Sequence, residues 1–222
     1  MQLSIILGLA LVQVPVYPFS PRLPRPDIHG SMLSKKDLIP RYSRRTRATI
    51  AAQHNFHRAN VDPSAADMQE MTWYRWAART AQKWAEKCRL LVHTGLEELT
   101  DPVMGQCGQN IFVASTEVPW SFAVRVWDLE KYNFSYGGIR NNTAGLNGHY
   151  TQLVWATSRK VGCGYARCEM KDKNRTRTFH NYVCNYCPIG NHPNIRDWPY
   201  RAGQPCSYCL GSCRNNLCHG IG

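Results

Sequence analysis

Cysteine is the residue type in this 222-residue chain whose number and spacing most directly imply chemistry. The sequence holds ten cysteines, and an even number predicts a disulfide framework formed in an oxidising compartment. Two C-x-x-C spacings leave a zinc–thiolate site as the alternative, although Cys213 and Cys218 follow the second of them closely and favour disulfides. The ten are Cys88, Cys107, Cys163, Cys168, Cys184, Cys187, Cys206, Cys209, Cys213 and Cys218.

Motifs for hydrolysis are absent from the sequence. It contains neither a Gly-x-Ser-x-Gly nucleophile elbow nor a His-Glu-x-x-His helix. If every cysteine is in a disulfide, no thiolate nucleophile remains. His54 and His57 lie three residues apart, so they would share one helix face and either extend a metal site or serve a structural role. The sequence therefore favours a protein that is not an enzyme.

Helices come before strands in the sequence, which predicts an α+β layered domain. The first helix is expected over residues 49–60, before the break at Asp62 and Pro63. The second follows the i, i+3, i+4, i+7 pattern, which would place three tryptophans and a cysteine on one buried stripe. Its apolar positions are Trp73, Trp76, Ala77, Thr80, Ala81, Trp84, Ala85 and Cys88.

A third helix is expected to begin near Pro119, because proline is favoured in a first turn. Its buried face would consist of Trp120, Ala123, Val124 and Trp127. Residues 133–148 are rich in Gly and Asn and predict a loop. Strand-like runs follow at residues 153–156, 160–167 and 179–186. From Pro188 onward the chain is too rich in Gly, Pro and Asn to form much of a core, so its own disulfides must hold it.

The N-terminal region indicates secretion. Residues 3–14 are an apolar run of signal-peptide length, too short to span a bilayer, which predicts a signal peptide over residues 1–20. Residues 21–47 are basic and proline-rich and predict an extended leader or propeptide, with residues 44–47 either a dibasic cleavage site or part of an uncut arm. No other run is long enough for a membrane span. Glycosylation sequons begin at Asn133, Asn141 and Asn174.

The net charge of +12, from 27 Lys and Arg against 15 Asp and Glu, restricts the class of partner. It favours an anionic cell surface, glycans or acidic lipid headgroups. Nucleic acid is disfavoured, since the tryptophans are expected in the core rather than exposed between basic patches, and the protein is expected outside the cell.

Five motifs, in order along the chain, resemble those of the CAP superfamily. GHYTQLVWATS at residues 148–158 resembles the first CAP signature, and YVCNYCPIGN at residues 182–191 resembles the second. The others are HNFHR at residues 54–58, AADM at residues 65–68 followed by Trp73, and CGQN at residues 107–110. The resemblance implies a CAP domain over residues 48–191, with an α-β-α sandwich around an antiparallel sheet, and it makes His54 structural.

The cysteine distribution narrows the resemblance to the cysteine-rich secretory proteins. Six cysteines fall in the CAP region and four in residues 192–222, which resemble the family's hinge. Full-length members continue into a module that regulates ion channels, whereas this sequence stops at Gly222, so channel regulation is not expected. The implied pairs are Cys88–Cys168, Cys107–Cys187, Cys163–Cys184, Cys206–Cys213 and Cys209–Cys218.

The resemblance also implies a cleft lined by two histidines and two glutamates, where some relatives bind zinc. His149 and Glu130 match two positions of this set. Gln109 replaces a glutamate, so that position carries no charge and cannot act as a general base. His93 lies five residues after Cys88, one more than usual, and joins the cleft only if a local insertion brings it in. His93, Glu130 and His149 are the candidate zinc ligands, and no cofactor is required.

For function, the resemblance implies a secreted, non-catalytic signalling or binding protein. Members of this branch act in reproductive tracts and on sperm, and shorter ones include a sperm attractant of amphibian egg jelly. The expected partner is a cell-surface receptor or an anionic cell surface on sperm. A sterol- or lipid-binding protein, which needs an exposed apolar groove, and a protease inhibitor are the alternatives.

Overall fold

The structure, a computed structural model, describes residues 33–138, 144–172 and 175–220. The predicted signal peptide and the sequons at Asn141 and Asn174 lie outside these residues. The helices are α1 (Lys35–Leu38), α2 (Arg44–Ala59), α3 (Arg75–Glu86), α4 (Trp120–Leu129) and α5 (Ala144–Leu153). The strands are β1 (Thr72–Trp73), β2 (Thr100–Asp101), β3 (Gly105–Gln106), β4 (Gly108–Ala114), β5 (Lys160–Asp172), β6 (Arg175–Cys187), β7 (Ser212–Arg214) and β8 (Leu217–His219). No helix in the described ranges is long and apolar enough to cross a membrane.

A four-stranded sheet in the order β1-β5-β6-β4 forms the middle layer of the domain. β5 and β6 pair antiparallel over their whole length, β4 pairs antiparallel with β6, and only the short β1 is parallel. Successive strand residues point to opposite faces, so Tyr182 and Tyr186 pack with α2 and α4 while Val183 packs with α3. This arrangement confirms the predicted α+β class and the CAP α-β-α sandwich.

The buried stripe of α3 consists of alanines and not of tryptophans. Ala77, Ala81 and Ala85 have no exposed surface, whereas Trp76 and Trp84 are only partly buried at the margins of the helix. Trp73 lies in β1, before the helix begins at Arg75. The predicted tryptophan stripe is therefore wrong, because α3 lies so close to β5 that only small side chains fit between them.

Two further elements differ from the sequence prediction. Residues 153–156, predicted as a strand, are the end of α5 and the turn after it, since a short apolar run does not distinguish a strand from a buried helix end. The predicted loop at residues 133–148 gives way to α5 at Ala144. The face of α4 is confirmed: Trp120, Ala123, Val124 and Trp127 are all buried.

Residues 34–47 fold onto the domain and do not form the predicted extended leader. α1 and a 3₁₀ turn at Pro40–Tyr42 precede α2, which begins at Arg44 and not at residue 49. Leu38 is buried, and its carbonyl accepts a hydrogen bond from the indole of Trp120 at 2.8 Å. The hydroxyl of Thr46 donates to the carbonyl of Lys36 at 2.7 Å. The proposed dibasic cleavage site is thus the first turn of a helix, which does not offer a protease an extended chain.

All ten cysteines are in disulfides, in the pairing that the resemblance implies: Cys88–Cys168, Cys107–Cys187, Cys163–Cys184, Cys206–Cys213 and Cys209–Cys218. No cysteine is free, so the zinc–thiolate alternative is wrong. The hinge is also docked on the domain. The amide of Cys218 donates to the carbonyl of Met68 at 2.8 Å, and the amide of Tyr208 donates to the carbonyl of Ala66 at 2.9 Å. The hinge surface therefore has a fixed position relative to the CAP domain.

Candidate functional site

The first half of the predicted cleft is the pair formed by Glu130 and His149. Glu130 directly follows the last residue of α4, and His149 lies in α5. Nδ1 of His149 donates to Oε1 of the carboxylate at 2.6 Å, and Oε2 accepts the amides of His149 and Tyr150 at 2.8 and 3.2 Å. Because Nδ1 carries the proton, the free lone pair of His149 is on Nε2.

The other two residues predicted for the cleft, His93 and Gln109, form a pair of their own. Gln109 lies on β4, and its Oε1 accepts from Nδ1 of His93 at 3.1 Å and from the amide of Thr94 at 3.1 Å. Its Nε2 donates to Oδ1 of Asn185 on the adjacent strand at 3.0 Å, which fixes the orientation of the amide. His93 therefore reaches the Gln109 position despite its shifted spacing, and its Nε2 also keeps a lone pair.

A buried polar network connects β4 to the residues around His149. The side-chain amide of Asn110 donates to the carbonyl of His149 at 3.0 Å and to the hydroxyl of Tyr186 at 3.3 Å. That hydroxyl donates to Nε2 of His54 at 2.9 Å, and Nδ1 of His54 donates to the carbonyl of Ile50 at 2.8 Å. Burial lowers the pKa of His54 to about 3, so this ring is neutral and its role is structural. Burial also raises the pKa of Tyr186.

Sequence reasoning missed the residues that position the cleft side chains. Thr94 and Asn185 both hold Gln109, and Thr94 belongs to no motif that signals a site. Asn185 and Asn110 did carry a signal, since they lie in the YVCNYCPIGN and CGQN motifs. The second histidine of the α2 pair, His57, contacts a single carboxylate: its Nδ1 lies 3.2 Å from Oδ1 of Asp128. Asn133, the one sequon asparagine among the described residues, is exposed.

The cleft residues do not fit a closed four-ligand zinc site. The two imidazoles offer one nitrogen each, but both oxygens of Glu130 already accept hydrogen bonds and Gln109 adds no charge. Among the described residues, the only group of three potential ligands within 4.8 Å of one another is Cys206, Cys209 and Cys218, and disulfides occupy all three. Glu130 and Gln109 instead occupy the outer positions that orient a histidine.

Replacing Gln109 with glutamate is expected to tighten zinc binding at least about tenfold. A carboxylate beside Nδ1 of His93 would raise the basicity of that ring and add a negative charge, and such outer partners change metal affinity by about 10–100-fold. Competition with a chromogenic chelator measures the affinity, with His149→Ala as the variant that removes one ligand. Equal zinc affinity of Gln109→Glu and the unchanged protein would show that Gln109 does not limit the site.

Within the part of the chain that the structure describes, neither of the two pairs includes a hydroxyl or a thiol. The dyad of His149 and Glu130 has the geometry of a base held by a carboxylate. Among the described residues, however, no hydroxyl or thiol forms a hydrogen bond with the ring of His149. The carboxylate itself accepts three hydrogen bonds, from the ring and the amide of His149 and from the amide of Tyr150.

Comparisons with known proteins address the family and the fold. The profile of the cysteine-rich secretory protein family (CAP) matches residues 51–186. Cysteine-rich secretory protein 3 of Equus caballus is 38% identical over 97% of this chain and 82% of its own length. Allurin of Xenopus tropicalis is 38% identical over 81% of this chain and 85% of its own. The crystal structure of Na-ASP-1 superposes with a TM-score of 0.60 at 26% identity, covering 78% of this chain and 46% of that one.

Proposed function

The chain belongs to the cysteine-rich secretory protein (CAP) family, and from this premise we propose that it is a non-catalytic extracellular binding protein that acts on sperm through its hinge. Its relatives are secreted cysteine-rich proteins, and its five disulfides suit an extracellular protein. The similarity to allurin extends over 81% of this chain, and a sperm response is what the resemblance implies.

The observation that carries this proposal is an exposed face of the hinge, which we call the hinge face and define as Ile195, Trp198, Arg201 and Tyr208. The first three residues line one groove of about 460 Å³, and the guanidinium of Arg201 stacks over the ring of Tyr208 at 4.0 Å. Trp198 is 50% exposed and Tyr208 is 59% exposed. Trp, Tyr and Arg are the residue types that dominate the binding energy of protein interfaces.

The disulfides and backbone contacts of the hinge make this face suitable for recognition. Two disulfides cross-link the hinge, and the amide of Tyr208 donates a hydrogen bond to the carbonyl of Ala66 in the domain. The backbone around Tyr208 therefore has a fixed position. A preorganised surface loses less conformational entropy on binding than a mobile one. The hinge face therefore has both the composition and the rigidity of a binding surface.

A groove between α2 and α4 supports lipid or sterol binding as a second candidate function. It has a volume of about 690 Å³, and Phe56, Phe122 and Tyr132 supply its aromatic lining. Phe56 and Tyr132 are more than 60% exposed, at 62% and 63%. Arg125 and Lys131 also line it, so the groove is less apolar than a sterol site requires.

A two-chamber sperm migration assay with the purified secreted chain tests the first function. The double variant Trp198→Ala, Tyr208→Ala is expected to need at least about tenfold more protein for the same directed migration, because it removes two hot-spot side chains. The control is Leu96→Ala, Val103→Ala, which removes apolar side chains that are 66% and 82% exposed on another part of the surface.

The outcomes separate the two candidates. Unchanged migration with the hinge-face variant would contradict the role of the hinge face, and no migration and no saturable sperm binding by the unchanged protein would overturn the function. Loss of migration with Phe56→Ala, Tyr132→Ala instead would place the active surface in the groove between α2 and α4. Binding of a fluorescent sterol that this second variant abolishes would support the lipid function.

A further inference from the structure

A strongly basic groove lies between the folded N-terminal segment and α3. Its volume is about 420 Å³, and Trp73 and Ala78 supply its apolar lining. Five cationic side chains line it: Arg41, Arg47, Arg75, Arg79 and Lys83. Neither the cleft nor the hinge face includes any of these residues.

Three of the cations form a row along one face of α3. Arg75, Arg79 and Lys83 are spaced i, i+4 and i+8, so successive charges are about 6 Å apart and the row is about 12 Å long. All three are exposed, and none has an ion pair with another described residue. Like charges at i and i+4 destabilise a helix, so helix stability does not explain the row.

The N-terminal segment supplies the other wall of the groove. The guanidinium of Arg47 donates to the carbonyls of Pro40 and Arg41 at 3.4 Å, which holds it at the groove, and Arg41 packs over the ring of Tyr42 at 4.8 Å. Glu86 is the one carboxylate that lines the groove, and it lies 3.9 Å from Nη1 of Arg41. Five cations against one carboxylate leave a net charge of +4 among the lining residues.

We propose that this groove binds a sulfated glycosaminoglycan chain. A row about 12 Å long matches an extended polyanion better than a single phosphate or one terminal sialic acid, which can contact only two or three donors at once. The apolar lining from Trp73 offers a surface for the faces of the sugar rings. Anionic phospholipids lie mainly in the cytoplasmic leaflet, whereas a protein of this secreted family meets sulfated glycans outside the cell. The inference rests on the proposed function, and it identifies sulfated glycans on the target cell as the first group that the protein binds.

Heparin is the probe for this site, with immobilised heparin binding measured by surface plasmon resonance at several salt concentrations. The double variant Arg75→Ala, Arg79→Ala should weaken the affinity for heparin at least about tenfold, since each basic side chain near a polyanionic surface strengthens the binding and two are removed. The slope of log affinity against log salt should become shallower by about two ions, because two fewer counterions are released. The matched control is Arg125→Ala, Lys171→Ala, which removes the same charge from exposed positions outside the groove.

Equal losses in the two double variants would overturn the proposal, because they would show that net charge alone determines heparin binding. Tighter binding to a sialylated polymer than to heparin would also overturn it. Hyaluronan, which carries carboxylates but no sulfate, is expected to bind weakly. The sperm assay keeps the two proposals separate: lost migration with intact heparin binding contradicts the proposed function alone, and groove-independent heparin binding contradicts the glycan site alone.

Discussion

Replacement of Arg58 by methionine is expected to lower the free energy of unfolding by about 3–5 kcal/mol. The side chain of Arg58 is fully buried, and its guanidinium donates five hydrogen bonds to backbone carbonyls. Nε and Nη2 bond the carbonyl of Gln69 at 3.1 and 2.8 Å, and Nη1 bonds the carbonyl of Leu153 at 2.9 Å. The remaining bonds go to Trp155 and Ala156 at 2.8 and 3.1 Å. Methionine fills the space but leaves these acceptors without a donor. Urea denaturation monitored by tryptophan fluorescence measures the loss.

Two further variants distinguish the hydrogen bonds of Arg58 from its charge. Burial lowers the pKa of Arg58 to about 9, so the group is still charged at neutral pH. Arg58→Lys keeps the charge, but one ammonium group cannot reach all four carbonyls that the planar guanidinium reaches. We therefore expect this variant to be nearly as unstable as Arg58→Met. Arg125→Met, on the exposed face of α4, should change stability by no more than about 0.5 kcal/mol. An Arg58→Met protein as stable as this control would show that water satisfies the carbonyls.

The role of Arg58 shows which part of the fold the sequence could predict. The HNFHR motif indicated an arginine at this point of the first helix, but nothing in the sequence names its acceptors, because they are backbone carbonyls, one 11 residues away at Gln69 and the others 95 to 98 residues away. α4 was predictable because its face is buried against one layer and follows the helical period. The fold of the N-terminal segment was not predictable. Leu38 and Thr46 attach it to the domain, and in the sequence they are isolated among many basic residues.

The candidate site was predictable as a set of positions but not as a set of contacts. The resemblance placed Glu130 and His149 together, and the structure joins them at 2.6 Å. It brought His93 to the cleft only through a local insertion, and the contact of His93 with Gln109 depends on a loop with left-handed backbone at Cys88 and Leu91. The basic groove was invisible in the sequence, because its two walls come from segments separated by β1 and pack only in the folded chain.

Replacement of Gly164 by alanine is expected to lower the free energy of unfolding by about 3 kcal/mol or more, at the upper end of the range for overpacking. A Cβ at this position of β5 would lie 2.3 Å from Cα and 2.4 Å from the amide nitrogen of Gln82. The obstruction is helix backbone, which cannot rotate away as a side chain can. Gly162 faces the same helix, and its Cβ would lie 2.1 Å from the amide nitrogen of Ala78. Thermal and urea denaturation of the secreted protein measure the loss.

Movement of α3 to admit the methyl group would also break the contact that completes β5. β1 pairs with β5 only at Lys160 and Val161, and beyond it the side chain of Gln82 takes the place of a strand. Gln82 donates to the carbonyl of Tyr165 at 2.8 Å and accepts from its amide at 3.1 Å. A displaced helix would leave both groups unpaired in a buried place, which adds to the overpacking.

Gly95→Ala is the matched control for this substitution, because a Cβ there would have no neighbour within 4 Å. The added methyl restricts the unfolded chain, so this variant should be unchanged or more stable by about 0.4–1 kcal/mol. Opposite signs for the two glycine substitutions would show that space between helix and strand, and not chain flexibility, requires glycine in β5. If Gly164→Ala were as stable as Gly95→Ala, α3 could shift without loss of stability. Close packing of α3 on β5 would then not explain why alanines, and not tryptophans, form the buried stripe of the helix.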